Sequence, residues 1–360
     1  MKKEKCRSSK NKLAIHLPIL EDELLSSWII RLAPTLKTKY HTLCDYFFPG
    51  QSLDTRDIDF FLSQKQMQYF SELTYHKEST FQKTSLRDFT PNLACSYSDL
   101  EKWILSKGKQ HRVSKNYYIN YCPSCFGNDE IPYFRKSWRL IISIVCTTCK
   151  KDLLDHCPMC KKPIDYLRLD IGHKEKIRNR ELYFCYNCDY DLRKAVQLES
   201  TSCNLSFQLK INSFLKAGHT DALNYSHLYF SVIYLLMTKL SSNARLAVVL
   251  DEHVSSAMAV TPFLKTRKRS VELKNLPHSK RVELISKTAW LLNHNMDEMI
   301  SFFKQANCNS CIFLTGNDIP YWFWRPIHEG LRIEFSQWKK QNKEMSYLNS
   351  YNTLGKRKMD

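Results

Sequence analysis

Cys122-Pro123-Ser124-Cys125, Cys146-Thr147-Thr148-Cys149, Cys157-Pro158-Met159-Cys160 and Cys185-Tyr186-Asn187-Cys188 fall within 67 residues and use eight of the chain's fourteen cysteines. A two-residue gap lets both thiolates of one knuckle face a single ion. Two such knuckles about 20 residues apart complete the tetrahedral four-sulfur site that Zn2+ prefers. Twenty residues separate the first pair from the second, and twenty-four the third from the fourth. The spacing predicts two zinc sites in series, Cys122, Cys125, Cys146 and Cys149 for the first and Cys157, Cys160, Cys185 and Cys188 for the second. A single zinc, or another thiophilic metal such as an iron–sulfur cluster, is the alternative.

Disulfides and redox chemistry are the competing uses of cysteine. The opening Met1-Lys2-Lys3-Glu4-Lys5-Cys6-Arg7 has no apolar run of the kind that directs export to an oxidising compartment, which weighs against disulfides. A redox dithiol needs one Cys-x-x-Cys opening a helix after a strand, whereas here the pair recurs four times, twice with proline inside it. A fifth pair, Cys308 and Cys311, has no second knuckle nearby and reads as ordinary thiols.

Outward from the knuckles, 360 residues allow two or three compact domains, and 43% hydrophobic residues is ordinary for a globular chain. The longest apolar run, Leu228 to Met237, is too short for the roughly 20 residues a bilayer helix requires. Lysine and arginine outnumber aspartate and glutamate by 54 to 36, a net charge of +18. Eight zinc-bound thiolates would lower this by only about four. The surplus points to a polyanion, nucleic acid first. Glycine is scarce, at 8 residues, and no phosphate-cradling Gly-x-x-x-x-Gly-Lys-Ser/Thr occurs.

Residues 1–17 read as a disordered basic arm and 18–115 as an N-terminal helical domain. Glu21, Asp22 and Glu23 precede Leu24, Leu25, Trp28, Ile29 and Leu32 at helical spacing, and Pro34 should stop that helix. A second helix is expected over Lys39 to Phe48. Ser63 is placed to cap a helix bearing Met67, Phe70 and Leu73; after a polar turn at 74–78, Ser79 is placed to cap another bearing Phe81 and Leu86. The pair looks like a helix-turn-helix, though any helical hairpin shares the pattern. On the DNA-reading alternative, Lys77, Gln82, Lys83 and Arg87 face phosphates or base edges. Residues 116–200 alternate short apolar stretches with the knuckles and read as tandem zinc ribbons, the metal standing in for a hydrophobic core. Residues 201–360 read as a C-terminal helical domain, with helices over 223–240, 280–292 and 297–304. A basic loop within it, Lys265, Arg267, Lys268 and Arg269, is suited to phosphate contact. The fold class is mainly α with a small amount of β.

Several segments, in order, resemble the TniQ family of Tn-seven-like transposons, relatives of the target selector TnsD. They are Pro18 with Glu23-Leu24-Leu25-Ser26-Ser27-Trp28-Ile29-Ile30-Arg31-Leu32-Ala33; Asp57-Ile58-Asp59 with Leu73-Thr74 and Leu86; and Tyr121 through Cys125. Tyr133-Phe134-Arg135-Lys136-Ser137-Trp138-Arg139-Leu140, Val145-Cys146 and Leu153 through Cys160 follow. The resemblance spans roughly 14–195 and is weaker at Trp290-Leu291-Leu292 and Pro320-Tyr321-Trp322. Many members place histidine where this chain has Cys149, a change that keeps the tetrahedron; His156 is then not a ligand.

The resemblance implies a non-enzymatic adaptor in the bacterial cytoplasm, associated with DNA, that marks an insertion site. It would do so by riding on a CRISPR Cascade-type complex or by reading target DNA, and would recruit a TnsC/TniB-like AAA+ ATPase and, through it, the transposase. A homodimer is also possible, and Trp28 and Arg31 would be scaffold for the recruitment surface. The chain's length favours the shorter TniQ type over a TnsD-like sequence-specific selector. A zinc-dependent nucleic-acid enzyme is the remaining rival. His173-Lys174-Glu175 superficially matches a deaminase motif, but Phe184 stands where that motif has proline, and four thiolates leave a zinc no open position.

Overall fold

The computed structural model describes residues 12–48, 57–106, 116–169, 181–263, 272–314 and 319–332. In chain order the helices are α1 (Leu25–Thr35), α2 (Tyr40–Phe47), α3 (Gln64–Leu73), α4 (Glu78–Thr84), α5 (Tyr97–Glu101), α6 (Pro123–Asn128), α7 (Ser202–Ala217), α8 (Ser226–Ser241), α9 (Arg245–Ala257), α10 (His278–Leu292), α11 (Met296–Gln305) and α12 (Tyr321–Gly330). Strands β1 (Val145–Cys146) and β2 (Lys151–Asp152) form one antiparallel pair with Val145 opposite Asp152. The architecture is mainly α with a small β element, and the two four-cysteine clusters sit as expected of tandem ribbons. The chain divides into two compact units, residues 1–230 with 271–289 and residues 231–270 with 290–360, so the segment 201–360 contributes to both.

In the first unit the local rules hold with instructive exceptions. Leu24, Leu25, Trp28, Ile29 and Leu32 are buried along α1, and Trp28 packs edge-on against Phe70 of α3 and Phe81 of α4. The acids before α1 do not serve its dipole. They lie outside its first turn, and Asp22 has a left-handed backbone. Pro34 does not stop the helix either; α1 runs one residue past it, because a proline in the last turn forfeits only a terminal hydrogen bond. Ser63 caps α3 in a reciprocal capping box with Gln66. The expected cap at Ser79 is corrected: α4 starts at Glu78 behind Lys77, whose side chain makes no cap, and Leu86 lies in a 3-10 turn over Leu86–Phe89.

Residues 1–11 of the expected basic arm lie outside the described residues. From Lys12 onward the chain is tied down, with the Leu13 N–H donating to the Leu73 carbonyl at 2.8 Å and the indole N–H of Trp28 to the Leu17 carbonyl at 3.0 Å. Of the apolar stretches before the knuckles, the one before Cys146 forms β1, while those at Tyr121 and Phe184 make only isolated bridges, with Leu154 and Asp191.

Within the second unit, Leu236, Leu250, Val254, Phe303, Phe313 and Phe323 are buried, and Phe313 packs tilted against Phe303 and edge-on against Phe323. Asn295 and Glu298 cap α11 reciprocally. Among the described residues no single helix is long and apolar enough to cross a bilayer. The bent pair α8 and α9 meets the length and composition of a span, but Val232, Ile233, Leu236, Met237 and Leu240 are buried in the fold.

Candidate metal centres and the interior they anchor

Among the described residues two groups of side chains can hold a metal ion, Cys122, Cys125, Cys146 and Cys149 in one and Cys157, Cys160, Cys185 and Cys188 in the other. The sulfurs of each group all lie within 4.8 Å of one another. Cys125 Sγ is 3.4 Å from Cys146 Sγ and 3.6 Å from Cys149 Sγ; Cys157 to Cys188 is 3.6 Å and Cys160 to Cys185 is 3.7 Å. A tetrahedron with metal–sulfur bonds of about 2.3 Å has edges of about 3.8 Å, so both sets fit a zinc-sized ion. Four sulfurs this close compete for protons: hydrogen bonds with Cys125 and Cys146 hold Cys122 well below the usual thiol range, and the bond with Cys122 pushes Cys125 up. A divalent ion removes that conflict by holding four thiolates at once. Cys308 is buried and Cys311 exposed, and neither joins a metal-binding group among the described residues. His156 turns to Asp155, with Nδ1 2.8 Å from Oδ1.

The knuckles are built in two ways. In the first, Cys122 is the N-cap of α6 with Pro123 at its first position, and the Cys125 N–H approaches Cys122 Sγ at 3.4 Å. The other three close on a left-handed residue after the second cysteine: Lys150, Lys161 and Asp189, at φ of 59°, 59° and 58°. Their N–H groups donate to the carbonyls of Cys146, Cys157 and Cys185 at 2.7, 2.9 and 3.0 Å. Gln197 latches the first cluster. Its amide approaches Cys122 Sγ at 3.5 Å and donates to the Asp152 carbonyl at 2.9 Å, while its oxygen accepts from the Ser124 hydroxyl at 2.9 Å. Tyr121 and Leu154 exchange backbone hydrogen bonds at 2.7 and 3.0 Å, joining the lead into the first cluster to the lead into the second.

The residues that carried the TniQ resemblance point inward. Glu23 is fully buried; Arg31 grips its carboxylate with Nε at 2.8 Å and Nη2 at 2.7 Å, and the Ser27 hydroxyl donates to it at 3.1 Å. The Leu24 N–H donates to the Phe134 carbonyl and the Phe134 N–H to Ser27 Oγ, which fastens α1 to the segment between the first two knuckles. Ser26 holds Asp59 through its N–H at 2.8 Å and its hydroxyl at 2.7 Å, and Arg139, buried, pairs with Asp57 and Asp59 and donates to the Leu105 carbonyl. Burial pushes Asp59 up to about 6, with Asp57 adding to the rise and Arg139 opposing it. Arg135 pairs with Asp129 over the faces of Tyr133 and Trp138; burial works against its charge, and Cys125, Tyr133 and Asp129 outweigh it.

A second seam was not visible in the sequence. The His278 N–H donates to Asp155, and its Nε2 lies 3.0 Å from the Ile144 carbonyl, which fixes the neutral Nε2–H form. Burial, with Arg281 adding to it, pushes this imidazole down to about 3. Arg281, also buried, donates to Asn120 Oδ1 at 2.7 Å and to the Ile141 carbonyl. Gln208 of α7 accepts from the N–H groups of Ile144 and Val145. Thr201 capping α7 and the left-handed Gly218 ending it were legible signals for that helix.

Lys77, Gln82 and Lys83 are exposed on or beside α4, while Arg87 is half-buried with its guanidinium 4.7 Å from the Tyr97 ring and near those of Phe60 and Phe61. Of the four nucleic-acid residues expected in this segment, three are therefore exposed and the fourth is spent largely on aromatic packing. Lys265, Arg267, Lys268 and Arg269, and the His173 to Glu175 stretch, lie outside the described residues. Trp28 and Arg31 are interior, joining α1 to its neighbours.

A search of the curated proteins finds no match. Residues 14–150 match the TniQ family model, a span that starts before α1, contains the whole first cluster and ends one residue after Cys149, leaving the second cluster beyond it. The chain thus carries a TniQ domain over that segment, which supports membership of the TniQ family and, in general terms, a transposon-associated part in target-site selection.

Proposed function

We propose that this chain is a non-enzymatic, two-zinc adaptor that connects a targeting module, a CRISPR Cascade-type complex or target DNA itself, to the AAA+ ATPase of its transposon. The TniQ match over residues 14–150 carries the reading. Its physical support is that the signature residues Glu23, Ser26, Ser27, Arg31 and Arg139 are consumed in interior hydrogen bonds and ion pairs around α1. Each cluster supplies four sulfurs, so a bound zinc has no open position for a reacting water. Elemental analysis of the purified chain should find two zinc ions per molecule, and a pull-down should retain the ATPase until the metal is stripped. A metal-free soluble chain, or no retention in either state, defeats the proposal.

A second reading, a TnsD-like reader of DNA sequence, is favoured by the exposed Lys77, Gln82 and Lys83 at the α3–α4 pair. Gel shifts across a salt series separate the two. An adaptor carried by a Cascade-type complex binds DNA weakly and releases it as salt rises, whereas the selector keeps a tight preference for one sequence.

A further inference from the structure

Between the last knuckle and α7, residues 196–200 lie extended along β2. The Asp152 N–H donates to the Leu198 carbonyl at 3.0 Å, the Ser200 N–H to the Lys150 carbonyl at 3.1 Å, and Lys151 bridges Glu199. The segment is thus a third strand in all but length, and β2 lies between it and β1. In an antiparallel pair the backbone groups alternate in direction. Those of Leu198 and Ser200 face β2, so those of Gln197 and Glu199 face outward, where no backbone partner meets them among the described residues. Val196 is 86% and Leu198 73% exposed. Two aliphatic side chains two residues apart share one face of a strand, and an open, apolar edge of this kind is what sheets ordinarily hide or charge. Here the Gln197 side chain, locked between Cys122, Ser124 and Asp152, ties the strand to the metal centre, and the one charged residue in it, Glu199, is paired with Lys151.

We propose that this edge is a docking site for an extended, acidic segment of another protein, which adds a strand beside residues 196–200. Main-chain hydrogen bonds at Gln197 and Glu199 would supply the pairing, with Val196 and Leu198 receiving alternate apolar side chains. Charge selects this occupant over a second copy of the chain. Lys194 leads into the strand, exposed and near Asp191, and Lys150 lies beside its far end, exposed and in no ion pair among the described residues. A second copy would bring the same cations, and a net charge of +18, against its own, whereas an acidic strand would complement them. The site rests on the folded ribbon alone and not on what the chain does in transposition.

The test uses the full metal-loaded chain and a short synthetic peptide that alternates valine with glutamate, with a valine–lysine peptide as control. The acidic peptide should bind and slow amide exchange at Gln197 and Glu199. The V196S/L198S variant should keep its full metal content yet bind the peptide at least about tenfold more weakly, through loss of apolar contact at both positions. Failure to bind, equal binding of the lysine peptide, or unchanged binding by the variant overturns the proposal. So does concentration-dependent self-association that protects the same two amides without peptide, because the occupant would then be a second copy.

Discussion

The two metal centres are made of the same four side chains at nearly the same spacing, yet they occupy different physical settings. In the first, three sulfurs are buried, the leading knuckle runs into a helix, Gln197 braces Cys122, and α1 is fastened to the intervening chain through Glu23, Ser27 and Phe134. In the second, Cys188 is exposed and Cys160 half-exposed, and both knuckles are tight turns closed by left-handed residues. One ion would sit inside the unit's core and the other would staple a lobe at its side. The number of ligands does not determine how much of a fold depends on a metal; what is packed around the ligands does.

The sharpest way to break this comparison is to remove one ligand from each. Cys122→Ser should unfold the first unit, because structural zinc contributes about 10 to 16 kcal/mol in small modules against a total stability of roughly 5 to 15 kcal/mol for a domain. Cys188→Ser should release one ion and loosen residues 157–169 and 181–190 while leaving the other ion and the packing of Trp28 intact. Metal stoichiometry together with amide exchange along α1 reads both outcomes. Equal unfolding in the two variants would show that the centres are one cooperative unit.

Acid should separate them next. His278 has its pKa lowered from 6.5 to about 3 by burial, so it stays neutral in the folded chain while the unfolded chain protonates it. Its contribution is present above pH 6.5 and is lost as pH falls through about 3, at most about 5 kcal/mol over the whole range. Asp155, also held below its usual range, acts in the same direction. Asp59, raised to about 6, acts in the opposite one: the fold gains stability as pH falls from about 6 to 3.8. The H278Q variant, whose amide can still donate to the Ile144 carbonyl, isolates the term. Its stability should fall less steeply between pH 6.5 and 4 than that of the parent in urea titrations followed at Trp28. An unchanged slope would mean that the seam beside the first centre does not govern its acid sensitivity.

Gln197→Ala is a smaller test of the same asymmetry. Removing the latch leaves the Ser124 hydroxyl and Asp152 carbonyl without their partner and should cost about 1 to 3 kcal/mol, with faster chelator extraction of the first ion and no change in the second. Equal acceleration at both centres would count against a local latch.

What the sequence made legible follows the same division. Cys-x-x-Cys spacing is a local geometric constraint, so all eight sulfurs gathered into the two expected groups. The helices with a strong apolar face or a good cap, α1 to α3 and α11, were also readable. What escaped is held by pairings across long sequence separations: His278 to Ile144, Arg281 to Asn120 and Arg139 to Asp59. Nothing in the local pattern distinguishes a buried, fully bonded arginine from a solvated one. The acids before α1 show the same limit, since their position suggested dipole stabilisation and their partners turned out to be Ser137 and Arg31.

The smallest effect concerns the turns themselves. A left-handed backbone costs an ordinary L-residue roughly 1 to 2 kcal/mol and glycine almost nothing, whereas glycine gives back about 0.5 to 1 kcal/mol through the entropy of the unfolded chain. Lys150 and Lys161 occupy that conformation with exposed side chains, so Lys150→Gly and Lys161→Gly should each stabilise the chain by up to about 1 kcal/mol. Asp189→Gly should do less, because aspartate tolerates the region better. In the first knuckle the residue after the second cysteine is Phe126, which is helical, buried and packed against Phe134 and Trp138. Phe126→Gly should therefore destabilise by about 3 kcal/mol or more. Thermal unfolding of the four variants measures the set. Opposite signs for Lys161 and Phe126 would establish that four identical cysteine spacings are closed by two different backbones, and matching signs would refute it.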